Sequence, residues 1–414
     1  ASYVSQPFQL YNTDQTFRAW RTDASVGDRQ GAWSWLIAAS RLDSTGQPQT
    51  YTTRTVSTGA PVTTGTIVNG AVPTRNTSLA DIYVIGTGTQ YATVQDHLKF
   101  KLAYDLDPST RLTYTGGLWR NDSQGRPSSY LSNAATGAPV YSGPIVINGK
   151  QFAPITGSDF ALTNESLSHQ MHGLSLKTNS KSNFDWEIAA STYDYTNDVK
   201  RQNAASTTLP MALSTGSGTL AQGDGTGWTN LALRGTWRPN GIQGAHIVDF
   251  GYQLDRYKLR YITSSITSNW LSDSAGPMAS NIGGTTRMDS FYIQDAWRFA
   301  PRWLAVLGLR SEKWGTSEGY TQIAAGSYNM AWPEREKSYL SPKAALSYQV
   351  EDDAVLKFAS GRAVRMPTVF ELYGNVATTN SQYINDPNLQ PERSVSGELS
   401  YEKTIQDGSW RLTY

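Results

Sequence analysis

The chain has 414 residues, 35 basic against 34 acidic side chains, a net charge of +1 and no cysteine. Zero Cys excludes a disulfide scaffold, a thiolate zinc centre and a cysteine nucleophile, and near-neutrality leaves no basic field for nucleic acid. Hydrophobic residues at 38% and charged ones at 17% lie below the soluble norms of roughly 45–50% and 25%, while 13 Trp, 23 Tyr and 11 Phe offer too much surface for a disordered polyelectrolyte. The longest clean apolar run, Trp303 to Leu309, falls far short of the ~18 residues of a membrane helix. A β-barrel stave is still allowed, because only alternate residues meet lipid.

Period-two alternation organises the chain. Leu98, Phe100, Leu102 and Tyr104 alternate with Lys99, Lys101 and Ala103, and Phe184, Trp186, Ile188 and Ala190 with Asp185, Glu187 and Ala189. Leu231, Leu233 and Trp237 face away from Arg234 and Arg238. Val248, Phe250, Tyr252 and Leu254 oppose Asp249, Gln253 and Asp255. The strand Phe291 to Phe299 carries Asp295 on its apolar side. Ala344, Leu346 and Tyr348 oppose Lys343 and Ser347, and Val395, Leu399 and Tyr401 oppose Ser396, Glu398 and Glu402. No 3.6-residue stripe competes.

Two kinds of connection separate these strands. Short ones fall at 24–30, 106–110, 179–183, 239–244, 300–301, 351–353 and 405–409, some with turn chemistry such as Asn240-Gly241 and Asp407-Gly408. Long ones cover about 41–94, 120–169, 194–227, 257–288, 314–339 and 363–393. The two kinds alternate, which predicts seven hairpins and about fourteen strands. Compact soluble domains rarely hold loops beyond about 12–15 residues, whereas outer-membrane barrels combine short turns at one rim with long loops at the other. Trp20, Trp33, Trp119, Trp237, Trp297, Trp303, Trp314 and Trp410 fall near strand ends, where a membrane boundary favours them. The fold class is therefore all-β: a transmembrane, antiparallel, up-and-down β-barrel. Ala1-Ser2-Tyr3 reads as an internal start and Trp410–Tyr414 as a strand in progress, so residues 1–414 are expected to be part of one barrel domain truncated at both ends, with closing strands elsewhere.

Three stretches carry a resemblance. FYIQDAWRFAPRWLAVLGLRSEKW (291–314), YLSPKAALSYQVEDDAVLKFASGRAVRMPTVFELYG (339–374) and NDPNLQPERSVSGELSYEKTIQDGSWRLTY (385–414) resemble the barrel of TonB-dependent outer-membrane receptors of the siderophore type. There a Gln-Asp pair precedes a short turn and Gly-x-Arg ends the next strand. A Ser-Pro hairpin, an Arg-x-Pro and a Glu-Leu pair follow, then an Asn-Leu-x-Pro-Glu loop. The resemblance implies about 14 or more of that family's 22 strands, with the plug domain, the TonB box and the C-terminal strands absent. It implies location in the bacterial outer membrane and import of a scarce nutrient, foremost a ferric siderophore. The TonB–ExbB–ExbD complex would supply energy through the missing N-terminal region.

Among side chains, the loop aromatics and arginine Trp270, Tyr320, Tyr328, Trp332, Arg335 and Tyr373 are the expected ligand contacts, since rings cover apolar ligand surface and guanidinium pairs with anionic chelating groups. Glu392 and Glu398 could face a polar lumen. His169 and His172 form His-x-x-His, but on a strand an offset of three points them to opposite faces, so they are read as independent, and His97 and His246 as solitary. No metal ligand set, cofactor or catalytic constellation is expected. The glycine-rich runs at 86–88 and 223–227 lack a following Gly-Lys-Ser/Thr, and no Gly-x-Ser-x-Gly elbow is present. A passive porin, or a soluble adhesin or carbohydrate-binding protein, are the alternatives.

Overall fold

The computed structural model describes residues 1–324, 328–378 and 381–414. One 19-stranded sheet dominates. Fifteen of its strands form a meander in chain order: Ser2–Leu10, Thr13–Gln30, Trp33–Thr45, Asp81–Asp105, Thr110–Ser129, Thr163–Thr178, Phe184–Asn203, Gly227–Trp237, His246–Ile266, Met278–Ala300, Trp303–Ile323, Arg335–Glu351, Ala354–Arg365, Glu392–Ile405 and Gly408–Thr413. Every neighbouring pair is antiparallel. The other four, Tyr51–Thr55, Val72–Arg75, Gly218–Gln222 and Tyr328–Ala331, pair alongside at the loop end. Among the described residues no ladder joins Ser2–Leu10 to Gly408–Thr413, so these are the sheet's edges.

Register converts the alternation into two chemically distinct faces. Ile188, Leu233, Tyr252 and Phe291 stand on one rung, and Phe250, Ile293 and Leu309 on the next. These side chains meet no protein layer: Phe291 is 62% exposed, Phe358 52% and Leu307 51%. The opposite face is polar and internally paired. Arg234 reaches Asp249 at 3.0 Å, Arg310 reaches Glu312 at 3.0 Å, and Asn230 donates to Asp255. An exposed apolar surface of this size on a soluble monomer would be an aggregation site; facing hydrocarbon, it is the stabilising side.

At the short-turn rim, aromatic rings line the apolar face. Trp303 sits 4.5 Å from Tyr348 and 6.0 Å from Phe299, Phe299 lies 5.3 Å from Trp297, and Trp33 lies 4.5 Å from Tyr104. Asp295, the carboxylate out of place on this face, is held 2.7 Å from His246 Nδ1, whose ring stacks on Trp297. Trp119 and Trp314 leave the girdle expected for them, because the register places both on the polar face.

The strands run well past the expected loop boundaries. Asp81–Asp105 has 25 residues, roughly 80 Å of ladder at about 3.3 Å per residue, against an apolar band of about 25 Å. Beyond that band neither face meets lipid, so the alternation fades while the backbone ladder continues. The segment 24–30, expected as a turn, is likewise strand to Gln30, and the reversal falls at Gly31, whose φ of +60° suits glycine. Of the expected long connections, 314–339 and 363–393 each include residues outside the described set.

Candidate functional site

At the loop end, two connections fold into a layer of their own. Thr66–Asn69, Ser132–Asn133, Gly143–Ile147 and Lys150–Ile155 make a four-stranded sheet. It rests on a core of Val68, Ile85, Leu131, Val140, Ile145, Ile147, Phe152, Ile155 and Phe160. Three fasteners tie this cap to the strand extensions. Arg54 forms a bidentate pair with Asp159 at 2.8 and 3.0 Å, mostly out of solvent. Burial pushes the Asp159 carboxyl up, but Arg54 and the Thr156 amide outweigh it and hold the pKa below the ordinary value. Asn203 accepts from Leu162 N at 2.7 Å and donates to Thr207 O at 2.7 Å, joining two loop segments with one amide. Trp270 is fully enclosed beside Leu162 and Ala212, and its Nε1 donates to Ala212 O at 2.8 Å.

A second element seats on the polar face itself. Pro367 and the N-cap Thr368 start the short helix Val369–Tyr373, with a capping box in which Thr368 and Glu371 satisfy each other's backbone amides. Val369, Leu372 and Tyr373 bury against Trp314, with Met288, Tyr257 and Trp332 around them. The Tyr373 ring lies over Gly319 and Gly284, where any added Cβ would come within 2.4 and 3.0 Å of it. Thr321 Oγ1 donates to Tyr373 O at 2.7 Å. The sheet makes room here by a register shift between Gly283 and Thr285, opposite Glu318 at φ +56°.

The three motif stretches converge at this helix. Arg365 grips Glu371 at 3.0 and 3.1 Å and Glu392 at 2.8 and 3.0 Å. The Arg365 guanidinium, with the Thr368 amide, holds the Glu371 carboxyl at about 2. Arg335 donates to the carbonyls of Pro387 and Leu389 and lies 5.8 Å over the Trp314 ring. Asn385 donates to Phe370 O at 2.8 Å. The Arg-x-Pro, Glu-Leu and Asn-Leu-x-Pro-Glu sequences are thus one knot, and their first physical task is to hold the segments 366–374 and 385–391 against the sheet.

The six expected contact residues separate into two groups. Tyr320, Tyr328, Trp332 and Arg335 are half-buried and spread along the outer part of the Trp303–Ile323 strand, from Tyr328 opposite Ile323 to Arg335 opposite Thr316, with Tyr320, Tyr328 and Arg335 on strands rather than in loops. Trp332 Nε1 donates to Thr321 Oγ1 at 3.1 Å. Trp270 and Tyr373 are enclosed and serve as wedges under their loops. Glu392 pairs with Arg365 as described, and Glu398 stands opposite Ala359 on the polar face. His169 and His172 do point apart. His172 bonds Tyr114 at 2.8 Å on the apolar face, while His169 belongs to a polar-face cluster with Trp119, Tyr193 and Tyr195. Sequence reasoning missed that cluster and the Arg365, Arg54 and Asn203 fasteners. Tyr193-x-Tyr195 on a polar strand face was the visible sign of the former; partners 27 to 105 residues apart gave none for the arginines.

Comparison with known proteins fits this architecture. The fold is similar to the ferric citrate transporter FecA in its unliganded form (TM-score 0.59, 12% identity, covering 99% of this chain and 49% of that one). It is similar to the copper transporter OprC (TM-score 0.58, 13% identity, 94% and 50%). It is also similar to the ferric yersiniabactin uptake receptor FyuA from Yersinia pestis (TM-score 0.54, 11% identity, 96% and 51%). The chain spans about half the length of these structures. No curated protein sequence matches it. A family model described as the β-barrel of TonB-dependent receptor-like proteins matches residues 103–414. That match takes in most of the ladder, the helix seat and all three motif stretches, and so the chain belongs to the TonB-dependent receptor family, as part of its outer-membrane β-barrel.

Proposed function

We propose that this chain is wall and mouth of an outer-membrane importer for a ferric siderophore. The observation that carries the reading is the division of one sheet into an exposed apolar face and a paired, polar face on which the helix Val369–Tyr373 is seated. Lipid takes the first, and a water-filled lumen the second. In this reading the work is capture rather than covalent chemistry. Tyr320, Tyr328, Trp332 and Arg335 supply ring surface and positive charge at the rim. Trp270 and Tyr373 support the reading as the side chains that hold two capture loops in place. Energy would come from the TonB–ExbB–ExbD complex acting on the whole receptor, of which residues 1–414 are one part of a single barrel domain.

The test is uptake of radiolabelled iron by the native host grown under iron limitation. Deleting the whole gene should abolish uptake from one siderophore class, complementation should restore it, and a protonophore should stop it. Unchanged iron uptake from every chelate offered, or energy-dependent uptake of copper instead, would defeat the ferric-siderophore reading.

A further inference from the structure

The outward face of the strand His246–Ile266 changes chemistry at one level. Below it, Val248, Phe250, Tyr252 and Leu254 meet lipid; above it the same face carries Arg256, Lys258 and Arg260 in succession. The inward positions change in the opposite sense, from Asp249, Gln253 and Asp255 to Tyr257 and Leu259, which pack beneath the seated helix. That packing fixes the direction of the three cations: with Tyr257 and Leu259 held inside, period two sends Arg256, Lys258 and Arg260 outside. Arg256 lies ten residues up the strand from His246 at the short-turn rim. Ten residues are about 33 Å of strand, or about 25 Å along the membrane normal at a tilt near 40°. The column therefore starts where the apolar band of about 25 Å ends, at the level of lipid headgroups.

The protein matches this charge poorly. Arg260 donates to the Asp224 carbonyl at 2.9 Å, but among the described residues no carboxylate pairs with Arg256, Lys258 or Arg260. Arg287, directly across the ladder from Arg256, adds a further cation where a counter-charge would stabilise the pair. Nearby carboxylates are engaged elsewhere: Asp289 with Arg287 at 2.7 and 2.9 Å, Glu318 with Thr285 Oγ1 at 3.2 Å, and Glu336 with Lys313 at 3.0 Å. Asp194 is the exception, on the Lys258 rung beyond Gly227. Beneath the column, Ile188, Leu233, Tyr252, Phe291, Ile293 and Leu309 border an outward groove of about 730 Å³. Cations at headgroup level above an apolar groove fit one molecule with phosphate at one end and hydrocarbon at the other. Guanidinium forks match phosphate oxygens, and each Lys or Arg near an anionic lipid surface adds about 1 kcal/mol of attraction.

We propose that Arg256, Lys258 and Arg287 hold the phosphate of an anionic lipid of the outer leaflet, with one acyl chain laid in the groove beneath. The site is on the lipid side of the wall, so it is separate from cargo capture and goes beyond the import reading.

The probe is dioleoylphosphatidate, titrated against the whole receptor in detergent and read by native mass spectrometry. Dioleoylphosphatidylcholine is the chain-matched control and inorganic phosphate the chain-free one. Phosphatidate should be retained at an excess about tenfold or more below that needed for phosphatidylcholine, and inorganic phosphate should not displace it. Arg256→Gln with Lys258→Gln should cut phosphatidate retention about tenfold or more. Thr229→Glu keeps every cation and sets a carboxylate opposite Arg256 at an exposed position, so it should weaken retention several-fold without disturbing the ladder. Arg41→Gln, which removes an outward cation of Trp33–Thr45, should leave retention unchanged. Equal retention of the two lipids, displacement by inorganic phosphate, or equal losses from Arg41→Gln and the double variant overturns the site. Selective phosphatidate retention with no iron uptake from any chelate leaves this inference standing and sinks the import reading. Iron uptake without selective retention does the reverse.

Discussion

Trp270→Ala tests whether the loop cap is held by its own packing rather than by the barrel beneath it. The indole is wholly buried against Leu162 and Ala212 and donates to Ala212 O at 2.8 Å. Replacing a buried Trp by Ala costs about 3–5 kcal/mol where the site cannot collapse, and stranding the Ala212 carbonyl adds about 1 kcal/mol or more. The loss should be local, because the fifteen-strand meander does not pass through this cluster. If opening of 204–217 and 267–277 is a sub-global event, about 3–5 kcal/mol is a hundred- to several-thousand-fold rise in amide exchange there. Hydrogen exchange read by mass spectrometry on the detergent-solubilised receptor would show it, with peptides from Phe184–Asn203 and His246–Ile266 nearly unchanged near their short turns. Unaltered exchange in both loop segments, or equal acceleration throughout the strands, would refute the reasoning.

Further outcomes follow from the same geometry. Arg365→Ala removes the grip on Glu371 and Glu392; the pairs are part-exposed and worth only about 0.2–1 kcal/mol each, so the melting temperature should barely move while protease cleavage within 366–374 rises and Trp314 emission shifts red. Glu371 has its folded pKa depressed to about 2, against an ordinary value of about 4.3. Its contribution is therefore complete above that ordinary value and lost as pH falls from there toward 2. An acid titration of Trp314 emission should show this step, and Glu371→Gln should erase it. His246→Leu alone leaves Asp295 unpaired on the apolar face and should cost about 1–3 kcal/mol, whereas His246→Leu with Asp295→Leu should recover that loss or exceed wild type in urea titrations. Gly319→Ala drives a methyl into the Tyr373 ring and should cost about 1–3 kcal/mol, read as the same Trp314 shift.

What could be read in the chain is what a single strand declares by itself. The pairs Phe291/Ile293 and Leu307/Leu309 announce their face because one side of the strand meets hydrocarbon and the other water, and period two follows. Beyond the lipid band that contrast is gone, so Asp81–Gln95 and Ser311–Ile323 lost their signature while keeping their ladders. The segment 24–30 misled for a related reason: Ser25, Gly27 and Asp28 have turn chemistry, yet Ala38, Leu36 and Trp35 pair with them in turn across a regular ladder. The candidate site was legible only as a composition of loop rings and an arginine. Trp270 and Trp332 look alike in sequence, and only the tertiary fold separates a wedge from a half-open ring. Arg365 sits 27 residues from Glu392, and no local rule joins them.

The cap's separate interior has a bearing on how the loop end of such a barrel can vary. Val68, Ile145, Ile147 and Phe152 pack on one another, with Ile85 their foothold on a stave. A lineage can therefore rewrite the crown, or exchange it wholesale for a cousin's, without renegotiating the staves that sit in lipid. Change at the crown and constancy in the staves are therefore separable, because each rests on its own set of contacts.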